Sequence, residues 1–322
     1  MPLDFRRFTP GDTESWETFV QDANNGTIFH ERKFLNYHPP GRFEDYSLII
    51  EKKGKTLAVF PAAEVIHDEQ RRLISHPGAS YGSFVYPQNL SFKDSFELVA
   101  GLKQYVKKQG FNAIQLTLPP AIYQQRVSNY IDFALVKHGF QYTRRDVSSM
   151  LTIEATPEAN LAKFRSTHRT AVRKAFRQGV TIQQSEDYAA FYGILKHNLK
   201  IRHGVTPTHT LDELIRLKNL YPDKISLQAA FHQGKMVAGV VNFSVNPQVV
   251  LAFYISHDEQ YQHLRAVNLL FYEIIKGCHA QGTKYLDFGI FTVNMEPNFG
   301  LARFKENFGA SGVFRDTFQC LL

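Results

Sequence analysis

The chain has 322 residues, 43% of them hydrophobic and 13% aromatic, which suits about two domains with real cores and excludes a mainly disordered or fibrous chain. Lys and Arg outnumber Asp and Glu by 37 to 30, a net charge of +7 that favours anionic partners such as phosphates, a nucleotide carrier or RNA. No apolar run approaches the roughly 20 residues that cross a bilayer, the first residues lack the apolar core of a signal peptide, and Cys278 and Cys320 cannot make a disulfide framework, so free thiols in a reducing cytoplasm are expected.

In chain order, the first recognisable unit is Tyr46–Phe60, read as a strand, a turn ending in Gly54-Lys55, and a second strand. The loop His76-Pro-Gly-Ala-Ser80-Tyr81-Gly82 is too polar and kinked for a core, and its Ser80 and Tyr81 suit the wall of a ligand pocket. Phe92, Phe96, Val99, Tyr105 and Val106 then fall at helical spacing, Gly110 fits the helix stop, and Phe111–Leu116 reads as a strand.

A domain boundary is expected near 145–155, giving an N-terminal domain over 1–148 and a C-terminal one over 149–322. The second opens with a helical insertion over about 156–220. Thr156-Pro157 starts a helix read as running to Gln178, with Gly179 as its stop. Phe191, Ile194, Leu195 and Leu199 mark another helix, and Thr210 with Glu213 has the spacing of a capping box. On the first of these helices Arg165, Arg169, Arg173 and Arg177 recur every fourth residue, beside His168 and Lys174. Such a stripe repels itself, and it fits best opposite acidic groups or a phosphate; a plain solvated face is the alternative.

The opening pattern then returns. Ile225–Val240 is again strand, Gly234-Lys235 turn and strand, 180 residues after Gly54. Leu251–Ile255 reads as a strand and Ser256–Leu264 as a loop. A helix starts near Arg265, with Val267, Leu270, Ile274 and Cys278 on its apolar face. A helix start offers unpaired N–H groups and a positive dipole end to a pyrophosphate, to which Arg265 and Asn268 add donors. Gly282 and the strand Thr283–Phe288 follow, 172 residues after Gly110. Two matches in one order at nearly one offset point to a tandem duplication. Last comes Asn298–Gly309, where glycines alternate with aromatics and two cations, Arg303 and Lys305.

Several chemistries find no support. Gly54-Lys55-Thr56 ends like a phosphate-binding loop, but Ile49 stands where its first Gly is needed. There is no GxGxxG, no HExxH, no paired-Cys spacing and no Gly-x-Ser-x-Gly elbow, so no metal site is expected.

The duplicated strand–hairpin–helix–strand unit, the basic helix ending Arg173-Lys174-Ala175…Gly179-Val180, and Asp287-Phe-Gly289 followed by Gly300-Leu-Ala-Arg303-Phe-Lys305 and Phe308-Gly309 together resemble the GNAT acyltransferase superfamily. More narrowly they resemble its FemAB-like branch, the tandem-GNAT aminoacyltransferases of peptidoglycan bridge synthesis. The resemblance implies a mixed α/β fold of two tandem GNAT-like domains, with extra helices at the start of the second. It implies N-acyl transfer from acyl-CoA or aminoacyl-tRNA as co-substrate, with no permanently bound cofactor, to an amine acceptor in a cleft between the domains. The acceptor is expected to be an acidic small molecule or a cell-envelope amine, with tRNA as a second partner. By the same analogy Lys305 neutralises developing charge, Arg169 and Arg173 hold the acceptor with His76, Ser80 and Tyr81, and Arg265, Asn268, Arg303 and Tyr254 serve the donor. His38, in the Phe29–His38 stretch, and Asp287 are the candidate bases, with His76 a further one; Asp287, at the end of a strand, is read first as a structural cap and otherwise as a base or an acceptor anchor. The glycine-bearing phosphate loop of that superfamily is absent, since Gln260–Arg265 contains no Gly. The competing expectation is a catalytically silent protein that binds an anionic ligand in a basic cleft.

Overall fold

The computed structural model describes residues 3–203 and 206–322. It opens with a strand, β1 (Asp4–Arg7), and two helices, α1 (Thr13–Asp22) and α2 (Arg32–Leu35). A run of short strands follows: β2 (Glu44–Asp45), β3 (Leu48–Lys52), β4 (Lys55–Phe60), β5 (Ala63–His67) and β6 (Gln70–Ser75). β3 and β4 form the first Gly-Lys hairpin. Its tip residues Lys53 and Gly54 both have positive φ, the requirement of the two-residue turn that matches strand twist.

α3 (Phe92–Lys108) is capped by the Ser91 hydroxyl, and Gly110, at φ 79°, ends it. Its buried stripe is Ser95, Leu98, Val99, Leu102 and Val106, so it is turned from the expected face and leaves Phe92 exposed. β7 (Ala113–Thr117) lies parallel to β6, and α4 (Tyr130–Lys137) and β8 (Gln141–Thr152) complete this part of the chain.

The second half begins with α5 (Pro157–Ala162) and α6 (Ser166–Arg177). The single helix expected over 156–178 is therefore broken at Lys163–Arg165. Phe164 is buried there against Phe308, at 5.1 Å between ring centroids. β9 (Thr181–Ser185) follows, a strand inside the segment read as wholly helical, and then α7 (Tyr188–His203) and α8 (Leu211–Leu220). α8 has the expected capping box of Thr210 and Glu213. β10 (Ile225–His232) and β11 (Lys235–Asn246) make the second Gly-Lys hairpin, again with two positive-φ residues, Gln233 and Gly234, at its tip. The chain closes with β12 (Val249–His257), α9 (Ala266–Ala280), β13 (Tyr285–Ile290), β14 (Thr292–Val293), β15 (Glu296–Pro297), α10 (Phe299–Glu306) and β16 (Ser311–Leu321).

Two compact units result, residues 1–147 with 313–322, and residues 148–312. The first carries strands in the order β2-β5-β6-β7-β16 with the start of β8, and a small sheet β1-β3-β4. The second carries the end of β8, then β13-β12-β11-β10-β9. Each unit has a helix crossover between parallel strands, β6–α3–β7 in one and β12–α9–β13 in the other. This is the repeat seen in the sequence. The expected division at 148/149 misplaces the last ten residues. β16 pairs antiparallel with β7, Thr317 opposite Thr117, and so belongs to the first unit. An isolated strand's alternation shows which face is apolar but not which strand it will pair with.

Candidate active site

In the second unit, β11 and β12 pair regularly up to one irregularity. Val241 opposes Tyr254, but the next residue, Asn242, opposes Ala252, so Phe253 is one residue too many. An inserted residue of this kind reverses the facing of every side chain beyond it. Ile255 and His257 are thereby turned to the α9 side, and Tyr254 to the side of α7 and α8.

On its other edge β12 pairs with β13 over three residues only, Val249–Leu251 with Tyr285–Asp287. There β13 is pulled away. Asp287 Oδ1 accepts from the Gly289 N–H and from Ser148 Oγ, both at 2.7 Å. Lys305 Nζ donates to the Gly289 and Ile290 carbonyls at 2.6 and 2.8 Å. The Gly289 peptide is therefore gripped at both ends, and its φ of 75° suits a residue without Cβ. The two parallel strands part to either side of a wedge.

The wedge opens on a cavity of about 550 Å³ lined by Ile255, His257, Arg265, Val267, Leu301 and Phe304, together with Ala266, Asn268, His168 and Asn298. Arg265 begins α9 in the left-handed region, at φ 59° and ψ 28°, and no side chain caps this helix. The Asn268 N–H donates to the Arg265 carbonyl at 3.0 Å, so it is the Ala266 and Val267 N–H groups and the positive end of the dipole that are available to an anion. On the opposite wall Asn298 caps α10 by accepting from the Leu301 N–H. Burial pushes the His168 pKa below the usual histidine value, and the charges of Arg265 and Arg165 push it the same way, so the ring is neutral at pH 7. One end of the cavity is cationic and rich in donors, the rest has largely apolar walls, and the stretch of β12 that β13 leaves unpaired runs between.

The expected site residues divide. Arg265 and Asn268 lie in the cavity wall as expected. Arg303 is exposed on α10 and is not part of that wall. Tyr254 is on the opposite face of β12, where its hydroxyl lies 2.8 Å from His209 Nδ1 and burial pushes its pKa up to about 12. Lys305 and Asp287 are not part of that wall; both are almost fully buried and hold the Gly289 turn at the end of β13. Arg169 donates to the Ala162 and Phe164 carbonyls and so ties the end of α5. Arg173 lines a different groove with Phe176, Arg177 and Tyr272. The arginine stripe is therefore not a single binding surface.

The remaining residues meet in the first unit. His38 Nε2 donates to the Gly78 carbonyl at 3.0 Å, while His76 Nδ1 accepts from the Gly78 N–H at 3.2 Å. Phe43 packs edge-on against both rings. Ser80 is half-buried, and Tyr81 is buried between Phe29 and Tyr123. Burial pushes His76 down to about 4, which makes it a weak base.

Sequence reasoning missed His257, Ile255, Phe304 and Asn298 as wall residues and gave His168 no role. The Asn298 cap was the readable signal, an N-cap residue directly before a helix. Among the described residues no group of three His, Cys, Asp or Glu side chains is placed to hold a metal ion, and no helix is long and apolar enough to cross a membrane.

Residues 162–306 match the family model of an acetyltransferase (GNAT) domain. No curated protein sequence matches the chain. Among solved structures the chain is similar to a crystal structure of FemX, at 13% identity over 99% of this chain and 97% of that one, with a TM-score of 0.76. It is also similar to L-PGS from Bacillus licheniformis, at 11% identity over 97% and 92%, TM-score 0.58. A tandem GNAT protein from the clavulanic acid biosynthesis pathway gives 10% identity over 99% and 98%, TM-score 0.55. At these identities the likeness is one of fold.

Proposed function

Because residues 162–306 match a GNAT acetyltransferase domain and the fold is like those of FemX and a tandem GNAT protein, we propose that the chain is an N-acyltransferase that takes its acyl group from acyl-CoA bound in the second unit's cavity. The observation that carries this reading is the wedge between β12 and β13, ending at the uncapped start of α9. An acyl-CoA has a diphosphate joined to an extended chain with two amides and a thioester. The diphosphate meets the Ala266 and Val267 N–H groups at the start of α9 and the side chains of Arg265 and Asn268. The extended amides add to the stretch of β12 that β13 leaves unpaired, short of the His257 carbonyl that Asn198 occupies, as a short strand would. Val267, Leu301 and Phe304 cover the apolar parts.

The reaction is a simple exchange at the thioester carbon. The acceptor amine nitrogen bonds to that carbon and the C–S bond breaks. The proton lost by the amine ends on the departing sulfur. Lys305 and Asp287 act here as positioning residues, since they hold the Gly289 turn that keeps the wedge open. His168 and His257 are the imidazoles on the cavity wall. The acceptor is a primary amine, and Fem-type relatives make an amine of a cell-envelope precursor the first class to try.

The test is a thermal-shift titration with acetyl-CoA, longer acyl-CoAs and charged tRNA, followed by a free-thiol assay with an amine panel. A ligand that binds only the folded state raises Tm by mass action. Stabilisation by an acyl-CoA, then thiol release with an amine, is the expected result. Stabilisation by charged tRNA alone would replace the CoA donor with an aminoacyl ester. No shift with any donor would sink the reading.

Arg265→Gly separates strain from binding. A non-glycine residue in the left-handed region costs about 1–2 kcal/mol, which glycine avoids at some cost in unfolded-chain entropy. The unliganded variant is expected to be as stable as the parent, or more stable by about 1 kcal/mol. Its affinity for acyl-CoA is expected to fall about tenfold with the loss of a charge-assisted contact. Equal affinity in parent and variant, by calorimetric titration, would remove Arg265 from the donor site.

A further inference from the structure

The α9-bearing face of the second unit's sheet changes character along its strands. In one stretch Ala230, Val240 and Ala252 pack in the apolar core beneath the helix. Further along, Gln184 on β9, Gln228 and Ser226 on β10, and Asn242 and Ser244 on β11 take over. Strand register sets them side by side, with Gln184 opposite Gln228 and Ser226 opposite Asn242. A sheet face under a helix is ordinarily apolar, because burying polar groups there carries a desolvation cost.

α9 does not seal this stretch. A Cβ built on Gly277 would meet nothing within 4 Å. Between the polar strands and the second half of α9 lies a cavity of about 540 Å³ that shares no wall residue with the one described above. Asn242 is 6% exposed, and its Oδ1 has no hydrogen-bond partner among the described residues.

The wall chemistry narrows the occupant. It includes no Lys or Arg, and its charged members are Asp223 and Glu273, the latter paired with Lys276 at 2.8 Å. An anion would find no counter-charge. No aromatic ring lines the cavity, so a flat base would find no stacking partner. A lipid tail would strand the amides. Amides and hydroxyls, each able to donate and accept, suit a ligand that does the same. We propose that this cavity is a second binding site, for a small uncharged polyhydroxylated molecule of mono- to disaccharide size. The proposal does not rest on the donor-site reading.

The experiment is saturation-transfer NMR and calorimetric titration of the full chain with D-glucose, N-acetylglucosamine and myo-inositol, with spermidine and inorganic phosphate as charged controls. Two variants accompany it: Gly277→Phe, which fills the cavity, and Gln228→Leu, which removes one amide from a half-buried position. The expected result is saturable binding of at least one polyol, abolished in Gly277→Phe and weakened about tenfold in Gln228→Leu. Acetyl-CoA shifts, measured in parallel, are expected to be the same in parent and variants. If Gly277→Phe loses its helical circular dichroism, Gln228→Leu alone decides. The proposal fails if no polyol saturates, if spermidine or phosphate binds the cavity instead, or if polyol affinity is indifferent to a folded variant.

Discussion

Lowering the pH from 7 to 4 is expected to remove roughly 3 kcal/mol or more of net folding stability, and two buried histidines of the first unit account for it. His30 is fully buried. Its Nδ1 accepts from the Thr27 N–H at 3.1 Å, so its Nε2 carries the proton and donates to the Gly82 carbonyl at 3.0 Å. A second proton on Nδ1 would face another N–H in a dry site. Burial holds its pKa down at about 4, against 6.5 for an exposed imidazole. His76 is likewise held down at about 4 by burial, with His38 and Arg32 adding to the effect and Asp45 opposing it. Between pH 6.5 and 4 the unfolded chain therefore binds protons that the folded chain refuses. Stability falls as pH falls, by about 3 kcal/mol for each ring.

Asp132 works in the other direction. Burial raises its pKa to about 6, so the folded state takes up that proton first and regains about 2 kcal/mol by pH 4. The two histidines outweigh the one aspartate. His30→Asn and His76→Asn keep an acceptor near the Nδ1 position without the titration. Each is expected to flatten the urea-unfolding free energy measured between pH 7 and 4, although each lowers stability at pH 7. Parent stability that stays level between pH 6.5 and 4.5 would contradict the burial argument for both rings.

Much of the fold was readable because its signals are local. A two-residue hairpin needs positive φ at its tip, and Lys53-Gly54 and Gln233-Gly234 supply it twice. Thr156, Thr210 and Ser91 accept from the N–H three residues on, so those helix starts follow from neighbouring residues alone. What was not readable depends on distant chain. β16 finds β7 from 200 residues away, and Phe164 breaks a helix because Phe308 waits for it. The extra residue at Phe253 is the most instructive case. Plain alternation places Tyr254 with Val250 and Ala252, facing α9; the insertion sends it to the other face and puts Ile255 and His257 in its place. A pattern of period two cannot announce its own interruption. The arginine stripe failed as a single surface for a related reason. Helical spacing aligns the four Cα positions, but Arg169 is spent on backbone carbonyls and Arg173 belongs to another groove.

Lys305→Ala is expected to cost about 3 kcal/mol, because it removes the two donors that hold the Gly289 turn and leaves a hole where a side chain 2% exposed had been. Lys305→Met fills the hole but still leaves the carbonyls without their donor, so roughly half that loss is expected at pH 7. The pH dependence tells the two kinds of role apart. Burial lowers the Lys305 pKa to about 8, against 10.5 when exposed, with Asp287 pulling the other way. Between pH 8 and 10.5 the folded state holds fewer protons than the unfolded one. Parent stability therefore rises with pH across that window, by up to about 3 kcal/mol, and the Met variant lacks the rise. A neutral amine still donates two hydrogen bonds, so the turn and the wedge survive deprotonation. If Lys305 only positions the wall, acyl transfer by the parent does not fall as pH rises through 8, and folded Lys305→Met loses donor affinity along with rate. If its positive charge serves the reaction, parent kcat falls through pH 8 while acyl-CoA affinity holds, and the positioning role assigned here is wrong.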